Sequence, residues 1–151
     1  MAQTPAIVAA ERAGIPFRLH AYEHDSAAES YGLEAAETLG LDPGTVFKTL
    51  VVDLDGKPAL AIVPVSAQLD LRALGKRAAM AGPAAAERAT GYVLGGISPL
   101  GGRKRLPTLL DSSALDHDTI HVSAGRRGLQ IELAPHDLAR LTGAEIRPIA
   151  R

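Results

Sequence analysis

"VFKTLVVDLDGKPALAIVPV", residues 46–65, is the stretch that decides the fold class of this chain. Two runs rich in β-branched residues flank a short turn that contains Asp55-Gly56, a dipeptide typical of hairpin turns. The sequence therefore predicts two antiparallel strands, over 45–53 and 58–65, joined by a tight connection.

Helices and strands are interspersed around this hairpin without a regular strand–helix–strand alternation. Thr4-Pro5 and the spacing of Ser26 and Glu29 are typical of helix starts. Helices are expected over 5–13, 26–40, 69–77, 83–89 and 135–143, and further strands over 17–22, 106–111, 119–125, 129–134 and 144–149. Because hairpins require antiparallel pairing, we expect a mixed α/β (α+β) fold, with residues 1–151 forming a single domain around a largely antiparallel sheet.

The composition indicates a globular protein of the cytoplasm. The 151 residues are 46% hydrophobic, which is enough for one core. The chain has no run of about 18 apolar residues and no charged N-terminal segment followed by a long apolar one, so neither a membrane span nor a signal peptide is predicted. The absence of cysteine excludes disulfides, thiolate metal sites and a cysteine nucleophile supplied by the protein.

Charge is distributed unevenly along the chain. Residues 1–55 carry nine acidic and three basic side chains, whereas residues 56–151 carry eight acidic and thirteen basic ones. The second part can present a basic surface to phosphates, but the net charge of −1 argues against a general nucleic-acid coat, and no DNA partner is expected. Aromatic residues make up 3% of the chain, which leaves little for base-stacking platforms.

Four glycines, two prolines and three consecutive basic residues occur in "GGISPLGGRKRLP", residues 95–107. The spacing fits neither a P-loop, which needs Gly-Lys-Ser/Thr after its second glycine, nor a nucleophile elbow around Ser98. Glycine backbone can approach a ligand closely, and Arg103, Lys104 and Arg105 can neutralise phosphates. The stretch is therefore either a ligand-binding loop or a solvated turn with a basic rim.

Lys48 is the most anomalous single residue, because strand alternation places it on one face with Val46 and Leu50. A lysine on an apolar face is costly unless it is paired or faces a cleft. Either Lys48 protects an exposed strand edge from aggregation, or it anchors a phosphate or a carbonyl oxygen in a pocket.

The histidines do not form a metal motif in the sequence. His20 and His24, like His117 and His121, are four residues apart, but both pairs lie on segments predicted to be extended, where this spacing covers about 13 Å. No metal site and no cofactor are therefore predicted. Glu23-His24-Asp25 is either an acid–base cluster or a solvated turn.

The chain resembles the YbaK/ProX family of trans-editing aminoacyl-tRNA deacylases, and within it the YbaK-type Cys-tRNA(Pro) deacylases. The segments that carry the resemblance are "TPA", "YEHD", "VFKTLVV", "QLDL", "TGYVLGGISPLGGRKRLPTLLD" and "GRRGLQIELAPHDLA". The resemblance spans nearly the whole chain and implies the YbaK-like editing-domain fold. It also implies an enzyme that hydrolyses the ester of cysteine wrongly attached to tRNA(Pro), with Cys-tRNA(Cys) as a second candidate substrate.

The resemblance implies roles for particular residues. Lys48 is expected to be the catalytic residue, and Arg103, Lys104 and Arg105 are expected to hold the tRNA acceptor end. Tyr31 stands where similar proteins often have phenylalanine. The residues implied to bind the substrate are Tyr22, Tyr31, Gly95, Gly96, Ile97, Ser98, Pro99 and Asp137, although a place in the first turn of a helix also explains Asp137.

The Cys-specific members of the family are thought to let the thiol of the substrate attack its own ester carbonyl. This mechanism suits a chain that has no cysteine and no Ser/His/Asp arrangement, since orientation alone lowers such a barrier by about 7–11 kcal/mol. Prolyl-tRNA synthetase is implied as a partner. Three alternatives stay open: a water-based deacylase for tRNA carrying alanine or serine, a non-catalytic module that binds tRNA or a synthetase, and a hydrolase of small esters.

Overall fold

The computed structural model describes residues 3–23 and 31–151. The α-helices in these ranges are α1 (Pro5–Ala13), α2 (Tyr31–Leu39), α3 (Pro83–Thr90) and α4 (Pro135–Thr142). The strands are β1 (Arg18–Ala21), β2 (Phe47–Leu54), β3 (Lys57–Pro64), β4 (Ala78–Met80), β5 (Thr108–Asp111), β6 (Ile120–Arg126), β7 (Leu129–Leu133) and β8 (Glu145–Arg147). The predicted mixed α/β class is confirmed.

The hairpin that decided the fold class is present. Strands β2 and β3 pair antiparallel over their whole length, from Phe47 opposite Pro64 to Leu54 opposite Lys57. Asp55 and Gly56 have φ values of 54° and 89°. Two consecutive positive φ angles match the twist of a hairpin, which is why this dipeptide is favoured there.

The hairpin belongs to a five-stranded sheet in the order β4-β2-β3-β5-β8, in which β3, β5 and β8 run parallel. Strand β3 is buried on both faces. Leu60 and Ile62 contact the larger core, while Ala61 and Val63 contact a smaller core on the other side of the sheet. This explains the unbroken apolar run of β3. Strand β4 pairs only with the end of β2, so in residues 3–23 and 31–151 no strand pairs with the first half of β2 on that side.

A three-stranded antiparallel sheet, in the order β1-β7-β6, forms the second layer. It meets the five-stranded sheet just before β2, where Val46 forms a backbone bridge with His121 and the His121 amide donates to the Thr45 carbonyl at 2.9 Å. The junction of the two sheets therefore lies beside Lys48.

Helix α1 closes one side of the larger core and has the predicted ends. The Thr4 hydroxyl accepts a hydrogen bond from the Ile7 amide at 3.2 Å, and Gly14 ends the helix with a φ of 69°. The same hydroxyl donates to the Ala124 carbonyl, which ties the helix start to β6. Ala6, Ile7 and Ala10 form its buried face.

The structure differs from the sequence prediction in its short elements. Residues 71–74 form one 3-10 turn in place of a helix over 69–77, because Gly75 adopts a φ of 135° that ends it. Strand β4 was not predicted, since Ala78-Ala-Met80 lacks β-branched residues, and it forms by pairing with β2. The start of the helix predicted from Ser26 lies outside the described residues. In the described ranges no helix has the length and apolar character needed to cross a bilayer.

Candidate active site

A cavity of about 370 Å³ opens where the two sheets meet. Its walls come from the start of α2, the first half of β2, the glycine-rich loop, and strands β6 and β7. Tyr22, the residue that follows β1, completes the wall. The lining residues are Tyr22, Tyr31, Gly32, Val46, Phe47, Lys48, Thr49, Leu50, Leu94, Gly95, Ile97, Ser123 and Gln130. A mostly apolar wall with a few polar groups is typical of a small-molecule site.

Lys48 lies in this cavity, on the part of β2 that β4 leaves unpaired. Among residues 3–23 and 31–151, no carboxylate forms an ion pair with its ammonium group. Burial lowers the pKa of Lys48, because the apolar wall removes water from the charged form. An anionic oxygen bound in the cavity would offset this penalty, so the site favours an anion next to Lys48.

Tyr22 and Gln130 form the polar wall of the cavity. Burial raises the pKa of Tyr22 and outweighs the hydrogen bonds that its oxygen receives from the Gly128 backbone and the Gln130 side chain. Tyr22 is therefore a neutral hydroxyl group. The Gln130 side-chain oxygen is buried and has no hydrogen-bond partner in the described part of the chain. It is an acceptor that a ligand with an N–H group would satisfy.

The glycine-rich loop contributes Gly95 and Ile97 to the cavity. Gly95 has a φ of 87°, and a Cβ atom there would lie 3.4 Å from the Tyr31 ring. A Cβ atom on Gly96 would lie 2.5 Å from the Cα of Arg126, which no structure tolerates without a shift of the backbone. The loop backbone therefore approaches the β6–β7 turn so closely that only glycine fits at position 96.

Hydrogen bonds within the loop fix its shape. The Tyr92 hydroxyl, whose pKa burial raises to about 12, donates to the Leu100 carbonyl at 2.6 Å and so spans the loop. The Arg103 amide donates to the Thr90 carbonyl at 2.9 Å, and the Leu94 amide donates to Glu87 Oε2 at 2.9 Å. Of the two interpretations of this stretch, these contacts favour the shaped binding loop.

Ser98 and Pro99 point away from the cavity. Both line a second depression of about 210 Å³, which they share with Lys104 and Arg105. Ser98 is 1% exposed and its hydroxyl accepts a hydrogen bond from the Leu100 amide at 3.2 Å. That hydroxyl stabilises the turn. This structural role agrees with the spacing around Ser98, which does not fit a nucleophile elbow.

The basic run that follows is exposed, as a phosphate-binding role requires. Arg103 packs next to Gly91 at the end of α3, and a Cβ atom on Gly143 at the end of α4 would lie 2.6 Å from Nη2 of Arg105. A cation at a helix C-terminus interacts favourably with the helix dipole. Lys104 is the member of the run for which the structure gives no such contact.

Asp137 is not among the residues that line the cavity. It lies in the first turn of α4, and Arg140 Nη2 is 3.3 Å from its Oδ1. Asp137 therefore lies outside the described lining of the cavity that holds Lys48, and its position agrees with the explanation by the helix terminus.

Sequence reasoning missed an ion pair behind the cavity wall. Arg127, in the turn between β6 and β7, donates from Nε to Glu34 Oε1 of α2 at 3.1 Å, and its Nη2 lies 3.1 Å from the same oxygen. The guanidinium of Arg127 also stacks over the Tyr31 ring. The one sign of it in the sequence is Glu34, an acidic residue next to Ala35 and Ala36 in α2. All three residues are buried in the structure.

Among the described residues, the polar groups of the cavity are one cation, two phenols, two further hydroxyl groups, a buried amide oxygen and glycine backbone, supplied by Lys48, Tyr22, Tyr31, Thr49, Ser123, Gln130 and Gly95. No histidine, aspartate or glutamate is among the described residues that line it. Such a set can bind a small polar group and stabilise an oxyanion, and it suits a reaction whose nucleophile is supplied by the substrate or by water.

A family model described as the aminoacyl-tRNA editing domain matches residues 26–141 of the chain. EbsC of Enterococcus faecalis, which is named as a Cys-tRNA(Pro)/Cys-tRNA(Cys) deacylase, is 37% identical over 97% of this chain and 93% of its own. The family model covers most of the chain, including Lys48 and the glycine-rich loop.

Solved structures share the fold. A protein described as a trans-editing enzyme for prolyl-tRNA synthetase superposes with a TM-score of 0.82 at 25% identity, and the match covers 100% of this chain and 99% of that one. The hypothetical protein APE2540 superposes with a TM-score of 0.86 at 23% identity, over 98% of this chain and 100% of its own. The resemblance to the trans-editing deacylases is confirmed: the chain belongs to the aminoacyl-tRNA editing domain family.

Proposed function

We propose that this protein is a free-standing deacylase that removes cysteine from mischarged tRNA(Pro) in the cytoplasm, and that it also accepts Cys-tRNA(Cys). The observation that carries the proposal is Lys48, a half-buried cation without a carboxylate partner in the described residues, in a cavity large enough for an aminoacyl group. The name of EbsC, at 37% identity, supports the choice of cysteine.

The cavity supports a mechanism in which the substrate supplies the nucleophile. The thiol sulfur of the cysteinyl group attacks the ester carbonyl, and the C–O bond to the terminal ribose breaks. The proton of the thiol passes to the ribose oxygen, and the four-membered thiolactone that forms is opened by water to free cysteine. The protein contributes orientation, which can be worth about 7–11 kcal/mol.

Lys48 has the role of stabilising the oxygen that gains charge as the carbonyl is attacked. The backbone of Gly95 forms part of the facing wall, Gly96 lets the loop pack closely on the β6–β7 turn, and the buried oxygen of Gln130 accepts from the α-amino group of the substrate. Tyr22, a neutral phenol, donates a hydrogen bond within the same pocket and keeps its proton. Ser98, Pro99 and Asp137 have no contact role in this arrangement, and Ser98-Pro99 holds the shape of the loop instead.

Lys104, with Arg103 and Arg105, is proposed to hold phosphates of the tRNA acceptor end. Lys104 and Arg105 line the same depression as Ser98 and Pro99, so a phosphate bound there would lie beside the loop that borders the cavity. Replacing Lys104 by alanine should weaken tRNA binding. It should also reduce, by about 1, the slope of log binding constant against log salt concentration, while the rate of hydrolysis of a minimal cysteinyl ester stays unchanged. Prolyl-tRNA synthetase is the proposed partner that supplies further tRNA selectivity.

The deciding experiment is single-turnover hydrolysis of tRNA(Pro) charged in parallel with cysteine, serine and alanine. Wild-type protein should release cysteine only, and Lys48→Met should slow this release by about 100-fold or more. Lys57→Met is the matched control, because Lys57 lies exposed at the other end of the same hairpin. Release of serine or alanine at the same rate would replace the thiol mechanism by attack of water. Tight tRNA binding without release of any amino acid would instead identify a binding module.

A further inference from the structure

Three side chains that the mechanism does not use converge on one face of the three-stranded sheet. They are His20 of β1, Glu132 of β7 and His121 of β6, and one ligand atom from each lies within 4.8 Å of the other two. The strand register produces this cluster: His121 lies directly opposite Glu132, and His20 is two positions from Arg18, the β1 partner of Glu132. His20 belongs to the sequence pair His20 and His24, and His121 belongs to the pair His117 and His121. The fold thus brings together one histidine from each pair.

The carboxylate of Glu132 is held in a fixed orientation. His20 Nε2 lies 2.8 Å from Oε1, and the Thr119 hydroxyl donates to Oε2 at 2.6 Å. The hydrogen bonds from Thr119 and His20, with a smaller contribution from the nearby His121, favour the charged form and keep the pKa of Glu132 below its ordinary value, although burial acts in the opposite direction. Second contacts of this kind are typical of carboxylates that bind metal ions.

His121 is the residue that these contacts leave unexplained. It is 5% exposed, and its Nδ1 is buried without a hydrogen-bond partner in the described part of the chain. A buried polar nitrogen left unpaired costs about 1–3 kcal/mol, so such atoms in folded proteins usually have a ligand or a partner. The His20 and His121 ring centroids are 5.2 Å apart, which leaves His121 close to the other two side chains.

We propose that His20, His121 and Glu132 form a binding site for a divalent transition-metal ion of the zinc class, with water as the fourth ligand. Imidazole and carboxylate are suitable ligands for zinc, nickel and copper. Tetrahedral bonds of about 2.0–2.1 Å place ligand atoms roughly 3.4 Å apart. The present separations are 2.8 Å between His20 Nε2 and Glu132 Oε1 and at most 4.8 Å within the cluster, so an ion would widen the first and draw His121 closer. The His20 and Glu132 side chains are 30% and 21% exposed, which gives an ion a path of entry.

The proposed ion would act on structure, since none of its three ligands lines the cavity. It would cross-link β1, β6 and β7. On the same strands, Gln130 lies opposite His20 and Ser123 lies opposite Gln130, and both Gln130 and Ser123 line the cavity. Metal binding would therefore stiffen the polar wall of the candidate active site.

The test uses untagged full-length protein that has been treated with a chelator and dialysed. Titration with Zn²⁺ in a calorimeter should show one equivalent, and Co²⁺ should give a visible absorption band of a four-coordinate site. Zinc should also raise the unfolding temperature in a concentration-dependent way. His20→Ala and Glu132→Gln should each weaken Zn²⁺ binding by about tenfold or more, while the exposed histidine change His136→Ala should not.

His20 and Glu132 are partly exposed, so replacing them should leave the protein folded. The test therefore does not depend on a variant of the buried His121, which could fail to fold. Binding weaker than about 1 mM in the wild type, or binding that His20→Ala leaves unchanged, would overturn the proposal. Because the readouts are binding and spectroscopy, their failure leaves the deacylase proposal untouched, and loss of deacylation says nothing about the metal.

Discussion

The guanidinium carbon of Arg127 lies 4.5 Å from the centre of the Tyr31 ring, so a cation from the β6–β7 turn covers an aromatic side chain of the cavity wall. The same guanidinium forms an ion pair with Glu34, and the two side chains are 17% and 7% exposed. One arginine thus joins α2, the glycine-rich loop and the three-stranded sheet around the cavity.

Replacing Arg127 by alanine should destabilise the protein and reduce activity together. The change leaves the buried Glu34 carboxylate without its main cation, which costs about 3 kcal/mol, and it removes the support of Tyr31. Urea unfolding and kcat/KM for Cys-tRNA(Pro) measure the two effects. Arg126→Ala is the control, because Arg126 is the exposed neighbour of Arg127 at the end of β6. Equal effects of the two changes would contradict the importance of the ion pair.

Gly96→Ala should lower kcat/KM by about 100-fold, because the added methyl group would lie 2.5 Å from the backbone of Arg126 and must displace the loop. Gly102→Ala tests the specificity of this effect. At position 102 the nearest atoms to an added Cβ are 3.5 and 3.6 Å away, so the change should be tolerated. The measurement is the single-turnover rate of each variant. Circular dichroism spectra of both variants show whether a loss of rate occurs in a folded protein. A Gly96→Ala variant with wild-type rates would show that the loop does not shape the site.

Lys48→Met should stabilise the protein while it removes activity. Burial lowers the pKa of Lys48 below 10.5, so the folded chain holds the proton less tightly than the unfolded chain. The buried charge therefore opposes folding at pH values below the folded-state pKa, and this penalty fades as the pH rises toward 10.5.

The measurement is the unfolding temperature of the wild type and of Lys48→Met across this pH range. The advantage of the variant should be largest near neutral pH and should shrink as the solution becomes alkaline. Lys57→Met should show no such trend, since Lys57 is exposed. A variant less stable than the wild type at every pH would mean that Lys48 has a stabilising partner.

Asp111→Asn should destabilise the protein by about 2 kcal/mol at neutral pH. Asp111 is 5% exposed, and its Oδ1 accepts from the Ile149 amide at 2.8 Å and from the Ala150 amide at 3.0 Å. Burial alone would raise the pKa of Asp111, but hydrogen bonds from Ser113 and from these two amides hold it below 3.8.

The sign of the pH dependence follows from that lowered pKa. The contribution of Asp111 is complete above pH 3.8 and is lost as the pH falls through its folded-state pKa. Acid titration of the unfolding free energy should therefore show a steeper loss for the wild type than for Asp111→Asn. Asp116 is exposed, so the curve of unfolding free energy against pH for Asp116→Asn should follow that of the wild type. Parallel curves for all three proteins would show that Asp111 does not contribute to the loss of stability in acid.

Local patterns predicted the central hairpin and the ends of α1 correctly, and they singled out Lys48, which lines the cavity. Each rests on neighbours in sequence: a turn dipeptide, a capping residue with proline, and strand alternation. The resemblance to a family supplied the fold as a whole. It did not separate Gly95 and Ile97, which line the cavity, from Ser98 and Pro99, which turn away from it.

Contacts between distant segments could not be predicted in the same way. Arg127 and Glu34 meet only because the β6–β7 turn packs on α2, and no spacing in the sequence indicates that contact. Likewise, the distance between His20 and His121 is set by the register of two strand pairs. Such arrangements depend on the order of strands in the sheet, which short-range periodicity does not determine.

In the described residues, Val46 and His121 form the one backbone bridge between the two sheets, and they are far apart along the chain. Contacts of high sequence separation form slowly, because a long loop must close before the contact adds any stability. The cavity has walls from both sheets, so a refolding chain would acquire it in a late step, after the hairpins themselves. Recovery of ligand binding should therefore lag behind recovery of secondary structure in a stopped-flow refolding experiment.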